Sequence, residues 1–210
     1  MNENALRDEI VAIGRSLFDR GLAHGSAGNI SVRLPDGWLM TPTNSSMGRL
    51  DPARISRLDG QGRHVGGDPP SKETFLHVTM YRERPKAGAV VHLHSVHSVA
   101  MSCLADVNEQ DVLPPITAYA IMQVGRVPLV PYYPPGDMSL AEAVGRLAAK
   151  HQAVLLANHG PVVAGSSLTA AVNAIEELEQ TAKLVLLLRG QPQRMLTPEQ
   201  VAELNRRFPA

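Results

Sequence analysis

The run Ala89-Val90-Val91-His92-Leu93-His94-Ser95 constrains the chain more than any other stretch. A short apolar run rich in β-branched residues reads as a buried strand. Side chains alternate across a strand, so His92 and His94 share one face about 6.5–7 Å apart along the backbone, and Leu93 enters the opposite layer. Two imidazoles converging from that spacing can share one metal ion, because neutral imidazole is a common transition-metal ligand. Two satisfied core histidines fit the same pattern. A catalytic centre additionally requires a third ligand and a carboxylate.

The rest of the chain sets the frame for that strand. At 210 residues it fits one domain spanning residues 1–210. With 44% hydrophobic and 19% charged residues it has ample apolar material for a core. Twenty Lys and Arg balance twenty Asp and Glu, which leaves no basic excess for nucleic acid or an anionic membrane and favours a small-molecule partner. The single cysteine, Cys103, lies in the apolar stretch Ala100-Met101-Ser102-Cys103-Leu104 and is expected to be a buried thiol. The first residues lack the apolar core of a secretory signal and no run reaches the ~18 apolar residues of a membrane span, so a cytoplasmic location is expected.

Helical and extended patterns alternate along the chain. Leu6, Ile10, Ile13 and Leu17 mark an amphipathic helix within residues 4–23. Gly25 and Gly28 open a turn, after which Ile30–Leu34 and Trp38–Met40 form a hairpin around Pro35-Asp36-Gly37. A second small hairpin is expected around Asp59-Gly60-Gln61-Gly62. Pro70-Ser71-Lys72-Glu73 signals a helix start with Ser71 as N-cap and Glu73 in the first turn, and the helix continues to about Arg82. A short helix follows the histidine strand through Leu104. Residues 116–123 fit helix and strand equally, and Val127–Tyr132 reads as an edge strand because its prolines cannot donate ladder hydrogen bonds. The loop Pro134-Pro135-Gly136-Asp137 leads into a helix over Ser139–Lys150. Ala153–Ala157 and Val162–Gly165 are strands. Leu168–Arg189 is a helix with Ala171, Ile175, Leu178, Ala182 and Val185 inside and Glu176, Glu177 and Glu179 largely outside, and Thr197-Pro198 opens a last helix to about Arg207.

His159 follows an apolar strand and precedes Gly160-Pro161, a turn expected to hold its ring at a strand edge. It is the natural third ligand. Three histidines with one position left for water or substrate match an open catalytic zinc site, whereas structural sites are usually closed by four protein ligands. Glu73 is the candidate acid/base, with an ordinary first-turn glutamate as the bland alternative. Loops at Gly28-Asn29, Thr43-Asn44-Ser45 and Ser71-Lys72 offer N–H groups and hydroxyls suited to a phosphate, although ordinary turn chemistry uses the same residues.

Taken together, Gly28-Asn29-Ile30-Ser31, Thr41-Pro42-Thr43, Pro70-Ser71-Lys72-Glu73, His92-Leu93-His94 and Ala157-Asn158-His159-Gly160 resemble the class II aldolase/adducin family in content and order. The resemblance implies an α/β fold, three-layer α/β/α with a central, mainly antiparallel sheet. It also implies a zinc-like divalent ion on His92, His94 and His159, Glu73 as catalytic acid/base, and a C4 homotetramer with active sites near subunit interfaces. Related aldolases bind the substrate phosphate through loops matching Gly28, Asn29, Thr43, Asn44, Ser45, Ser71 and Lys72. Where sugar-phosphate aldolases usually read Thr-Gly and Ser-Ser, this chain has Thr43-Asn44 and Ser71-Lys72. That departure resembles the branch that decarboxylates 3-oxo-tetronate 4-phosphates to dihydroxyacetone phosphate and CO2 through a metal-stabilised enediolate. The expected partner is thus a small phosphorylated sugar acid in carbohydrate metabolism, with Lys72 as a cation beside its carboxylate. A sugar-phosphate aldolase or epimerase is the enzymatic alternative, and an adducin-like scaffold the non-catalytic one. Tyr119 and His97 stand outside the catalytic set.

Overall fold

The computed structural model describes residues 2–134 and 136–208. Among them, eight strands form one sheet: β1 (Asn29–Leu34), β2 (Gly37–Met40), β3 (Ser56–Asp59), β4 (His64–Gly66), β5 (Ala89–His92), β6 (Leu129–Val130), β7 (Ala153–Leu156) and β8 (Gly160–Gly165). Their spatial order is β4-β3-β2-β1-β5-β8-β7-β6. Every pairing is antiparallel except that of β6 with β7. Helices α1 (Glu3–Asp19), α2 (Thr74–Glu83), α3 (Val96–Ser102), α4 (Ser139–Ala148) and α5 (Leu168–Leu187) cover the sheet, and α6 (Pro198–Arg207) follows with a capping box on Thr197 and Gln200.

The alternation of the central strands divides the core in two. Ala89, Val91 and Leu93 pack with Ile10 and Leu17 of α1, Met101 of α3 and Ile175 and Leu178 of α5. Val90, Val154 and Val162 point the other way, against Leu76 and Met80 of α2 and Leu140 and Val144 of α4. A strand buried on both faces needs a helical layer on each, which gives the three-layer α/β/α arrangement expected. Antiparallel order also brings several loops to one end of the sheet. There β1 begins beside the end of β5, with Asn29 opposite His92, while β2 and β7 end and β8 begins.

Both hairpins and the edge strand occur where expected, and residues 120–124 form a short π-helix. The expected loop at 134–137 includes Pro135, which lies outside the described residues. Three expectations are corrected. Helix α2 starts at Thr74, with Glu73 in the N-cap position rather than the first turn, because Ser71 folds the chain into a preceding turn through its carbonyl and hydroxyl. Cys103 is exposed, since it stands at the end of α3, after the helix face that carries Met101 into the core.

Glu179 is buried, 4% exposed, although its neighbours in sequence carry the polar face of α5. The cause is α3, whose N-cap Ser95 makes no side-chain capping bond. The Glu179 carboxylate caps that helix from outside. It accepts from the N–H groups of His97 (2.9 Å) and Ser98 (2.8 Å), from His97 Nδ1 (2.8 Å) and from Ser98 Oγ (2.6 Å). Burial alone would raise its pKa, but these bonds, led by Ser98, hold it below the usual carboxylate value. Among the described residues, no helix is long and apolar enough to cross a membrane.

Candidate metal centre

Two chain segments deliver the three histidines. His92 closes β5, His94 lies two residues beyond it, and His159 ends the turn between β7 and β8. Gly160 is the first residue of β8 rather than part of a fixed Gly-Pro turn. A Cβ there would sit 2.3 Å from the carbonyl oxygen of Leu93, so only glycine lets the β7–β8 turn press against the segment joining His92 to His94. The turn itself is made by Asn158, in the left-handed region at φ 55°, with His159 N–H donating to Leu156 O.

The donor atoms converge. His92 Nε2 lies 3.0 Å from His94 Nε2 and 3.3 Å from His159 Nε2. Glu73 adds Oε1 at 3.1 Å from His159 Nε2 and Oε2 at 3.5 Å from His92 Nε2. All four donor atoms lie within 4.8 Å of one another. A tetrahedral ion with metal–nitrogen bonds of about 2.0–2.1 Å has ligand–ligand edges of about 3.3–3.4 Å, close to these separations. The tautomer agrees. His92 Nδ1 is 2.8 Å from the carbonyl oxygen of Pro161, which only accepts, so the ring hydrogen is on Nδ1 and the Nε2 lone pair faces the cluster. Burial lowers the pKa of His92 against the opposing charge of Glu73, and burial, His92 and His159 push His94 down to about 3. Imidazole nitrogens that converge on one point suit a divalent cation.

Glu73 is less open than a free acid/base. Burial would raise its pKa, but the positive charge of His92 when that ring is protonated, a hydrogen bond from the protonated His159 and one from Asn29 hold it well below the carboxylate range. It is therefore an anion that faces the same point as the histidines, a fourth donor where the spacing of histidines alone left an open position.

The three polar loops meet here as well. Asn29 Nδ2 donates to Ser71 Oγ (3.1 Å) and to Glu73 Oε2 (2.7 Å). Thr43 N–H donates to Pro69 O and Ser71 N–H to Thr41 O, tying the second loop to the third. Gly28, at φ 81°, passes so close to His92 that a Cβ would lie 2.9 Å from its carbonyl oxygen. Asn29 is buried with its amide turned inward, Ser45 Oγ donates to Pro42 O, and Asn44 and Lys72 are exposed. A cavity of about 320 Å³ opens beside Thr43, Asn44 and Ser45 and is also lined by Arg49 and Arg54, two cations that the loop motifs did not single out. A larger cavity of about 680 Å³ lies at the other end of β5, beside Ala87 and Gly165, and is lined by none of the site residues.

With this geometry the relationships are decided by near-complete coverage. Residues 8–186 match the class II aldolase and adducin N-terminal domain. The chain belongs to this family. It is 52% identical over 204 residues to the 3-oxo-tetronate 4-phosphate decarboxylase of Escherichia coli strain K12, covering 97% of this chain and 96% of the relative. It is 34% identical over 212 residues to the L-fuculose phosphate aldolase of the same strain, covering 99% and 96%. The solved structure of YgbL from Klebsiella pneumoniae superposes with a TM-score of 0.95 at 49% identity, over 97% of this chain and 99% of that one. For a class II aldolase-type chain, the site also contains residues that sequence reading passed over: Ser31, His77 and Tyr81 lie behind Asn29. A signal was present, since Ser31 shares a strand face with Asn29, and His77 and Tyr81 follow Glu73 at steps of four on α2.

Proposed function

We propose that this chain is a metal-dependent carboxy-lyase that converts a 3-oxo-tetronate 4-phosphate to dihydroxyacetone phosphate and CO2. The observation that carries the substrate is the 52% identity, over nearly the full length, to a relative named for that reaction. The four convergent donors supply chemistry consistent with it. His92, His94 and His159 would hold the ion, for which zinc suits a mainly imidazole shell and other divalent ions are compatible. Such an ion, when bound, polarises the 3-oxo group and offsets the negative charge that develops as CO2 departs.

In the reaction the C1–C2 bond breaks, its electron pair moves into C2–C3 to give an enediolate, and CO2 leaves. One proton delivered to C2 completes dihydroxyacetone phosphate. Glu73 is proposed to carry that proton, taking it from solvent water and passing it to C2. It is ionised while it contacts His92 and His159, so substrate must first separate it from them. Burial then acts in the opposite direction and raises its proton affinity. Gly28, Thr43, Asn44, Ser45 and Ser71 form the phosphate side, and Lys72 pairs with the substrate carboxylate. Asn29 serves this site by holding Glu73 from the interior. The proposed enzyme is a cytoplasmic homotetramer, which light scattering of the purified protein tests.

An assay of CO2 release from 3-oxo-tetronate 4-phosphates beside a panel of sugar phosphates tests the reaction. CO2 and dihydroxyacetone phosphate are expected. An aldehyde product from a sugar phosphate, without CO2, would establish the aldolase instead, which uses the same ligands. Glu73→Gln is expected to lower kcat about 10²–10⁴-fold while the purified variant still binds metal through the three histidines.

A further inference from the structure

A chain of hydrogen bonds runs through the protein interior and ends on Glu73. Its members come from β1 (Asn29, Ser31) and α2 (His77, Tyr81), and all four are buried, at 4%, 1%, 1% and 3% exposure. His77 Nε2 is 2.5 Å from Asn29 Oδ1, Ser31 Oγ is 2.7 Å from His77 Nδ1, and Tyr81 OH is 2.9 Å from Ser31 Oγ.

The chemistry of each group permits one direction only. Asn29 presents Nδ2 to the Glu73 carboxylate at 2.7 Å. The flipped amide would press Oδ1 against an anion at that distance, which is repulsive. Oδ1 therefore faces His77, and because an amide oxygen only accepts, His77 Nε2 carries the hydrogen. A neutral ring then accepts at Nδ1, and burial disfavours the charged form, lowering the pKa to about 3. Ser31 O–H must donate to Nδ1, so its oxygen accepts from Tyr81 O–H. Every donor points toward Glu73, so each bond polarises the next in the same sense.

We infer that His77 is a positioning residue for Glu73: through Asn29 it keeps an amide N–H on the carboxylate and bars the amide oxygen from that place. Ser31 sets the tautomer on which this depends. The inference rests on the proposed role of Glu73 as proton carrier. His77 touches none of the clustered histidines and meets the site only through the inward-facing amide oxygen of Asn29, so its loss acts on the reacting step rather than on substrate capture.

The test compares His77→Leu, which fills the space without polar groups, with His77→Gln, which restores an amide N–H toward Asn29. For each, kcat and KM for CO2 release and the melting temperature are measured. His77→Leu is expected to lower kcat about 10–100-fold, with KM changed by less than about twofold. His77→Gln recovers most of kcat even where its melting temperature matches that of His77→Leu. Equal losses of kcat in both variants, in step with melting temperature, overturn the inference. A second readout avoids dependence on those variants folding. In 15N-histidine spectra the His77 ring is the Nε2–H tautomer, and Ser31→Ala raises the Nδ1–H population together with a fall in kcat. A wild-type Nδ1–H tautomer overturns the inference. Should Glu73→Gln retain full decarboxylation, the functional reading itself falls. Should Glu73→Gln be inactive while His77→Leu keeps wild-type kcat, only the positioning role falls.

Discussion

The two sides of Glu73 are built differently. On its inner side Asn29, His77, Ser31 and Tyr81 are buried, and each is hydrogen-bonded to the next. On its outer side Lys72 is exposed on one loop, and Asn44 on another lines a cavity with Arg49, Asp51 and the ion pair of Arg54 with Asp68. A satisfied buried network holds one geometry, because any change leaves a polar group unpaired in a medium that cannot solvate it. Exposed cations lose little when rearranged. Under the proposed function the contrast separates two tasks: the inner side holds the proposed proton carrier in place, and the outer side selects which anion reaches it.

The largest expected effect lies where the two sides meet. His159→Ala removes one proposed ligand and is expected to lower decarboxylation about 10³-fold, equivalent to several kcal/mol of lost charge stabilisation. Metal content of the purified variant should fall in parallel. Full activity with unchanged metal content would remove His159 from the site.

Next is Glu179, which belongs to neither side but anchors the helix following His94. Glu179→Ala strips four hydrogen bonds from the start of α3 and should cost about 3 kcal/mol of unfolding free energy, read by urea titration. A loss near zero would show that water replaces the carboxylate.

The inner network also predicts a pH dependence with a definite sign. His77 has a folded pKa of about 3, below its ordinary 6.5. Between these values the unfolded chain binds a proton that the native state refuses, so stability is full above pH 6.5 and falls as pH drops below it. By pH 5 the loss attributable to His77 is about 2 kcal/mol. Urea midpoints from pH 7.5 to pH 5 should therefore decline less steeply for His77→Gln than for wild type, and parallel slopes would contradict the assignment.

The smallest effect belongs to the outer side. Lys72→Ala should raise KM about five-fold, as expected for loss of roughly 1 kcal/mol from an exposed charge pair, with kcat nearly unchanged. Unchanged KM and turnover would shift carboxylate recognition away from Lys72, with Arg49 next to be substituted.

The histidine strand was readable because period-two alternation is a local property: His92 and His94 must share a face wherever the strand lies. His159 was readable as a third donor from the apolar run before it, yet its reach depends on Gly160 passing against Leu93 O, a contact between segments 67 residues apart in the His92–His159 pair. Glu179 misled because helical periodicity places it with Glu176 and Glu177, and only the uncapped start of α3 explains its burial. His77 was passed over for the opposite reason: a lone histidine in an apolar helix looks like core until Asn29 and Ser31 are seen on either side of its ring.

By itself, then, the sequence determined the alternation of helices and strands, the family motifs and the identity of the three imidazoles, since these depend on neighbours within a few residues. The tertiary structure alone decided which way Asn29 points, which tautomer His77 holds and that Glu73 stands among the histidines as an anion. Those states depend on hydrogen-bond partners and burial contributed by strands and helices distant in the chain, and no local pattern encodes them.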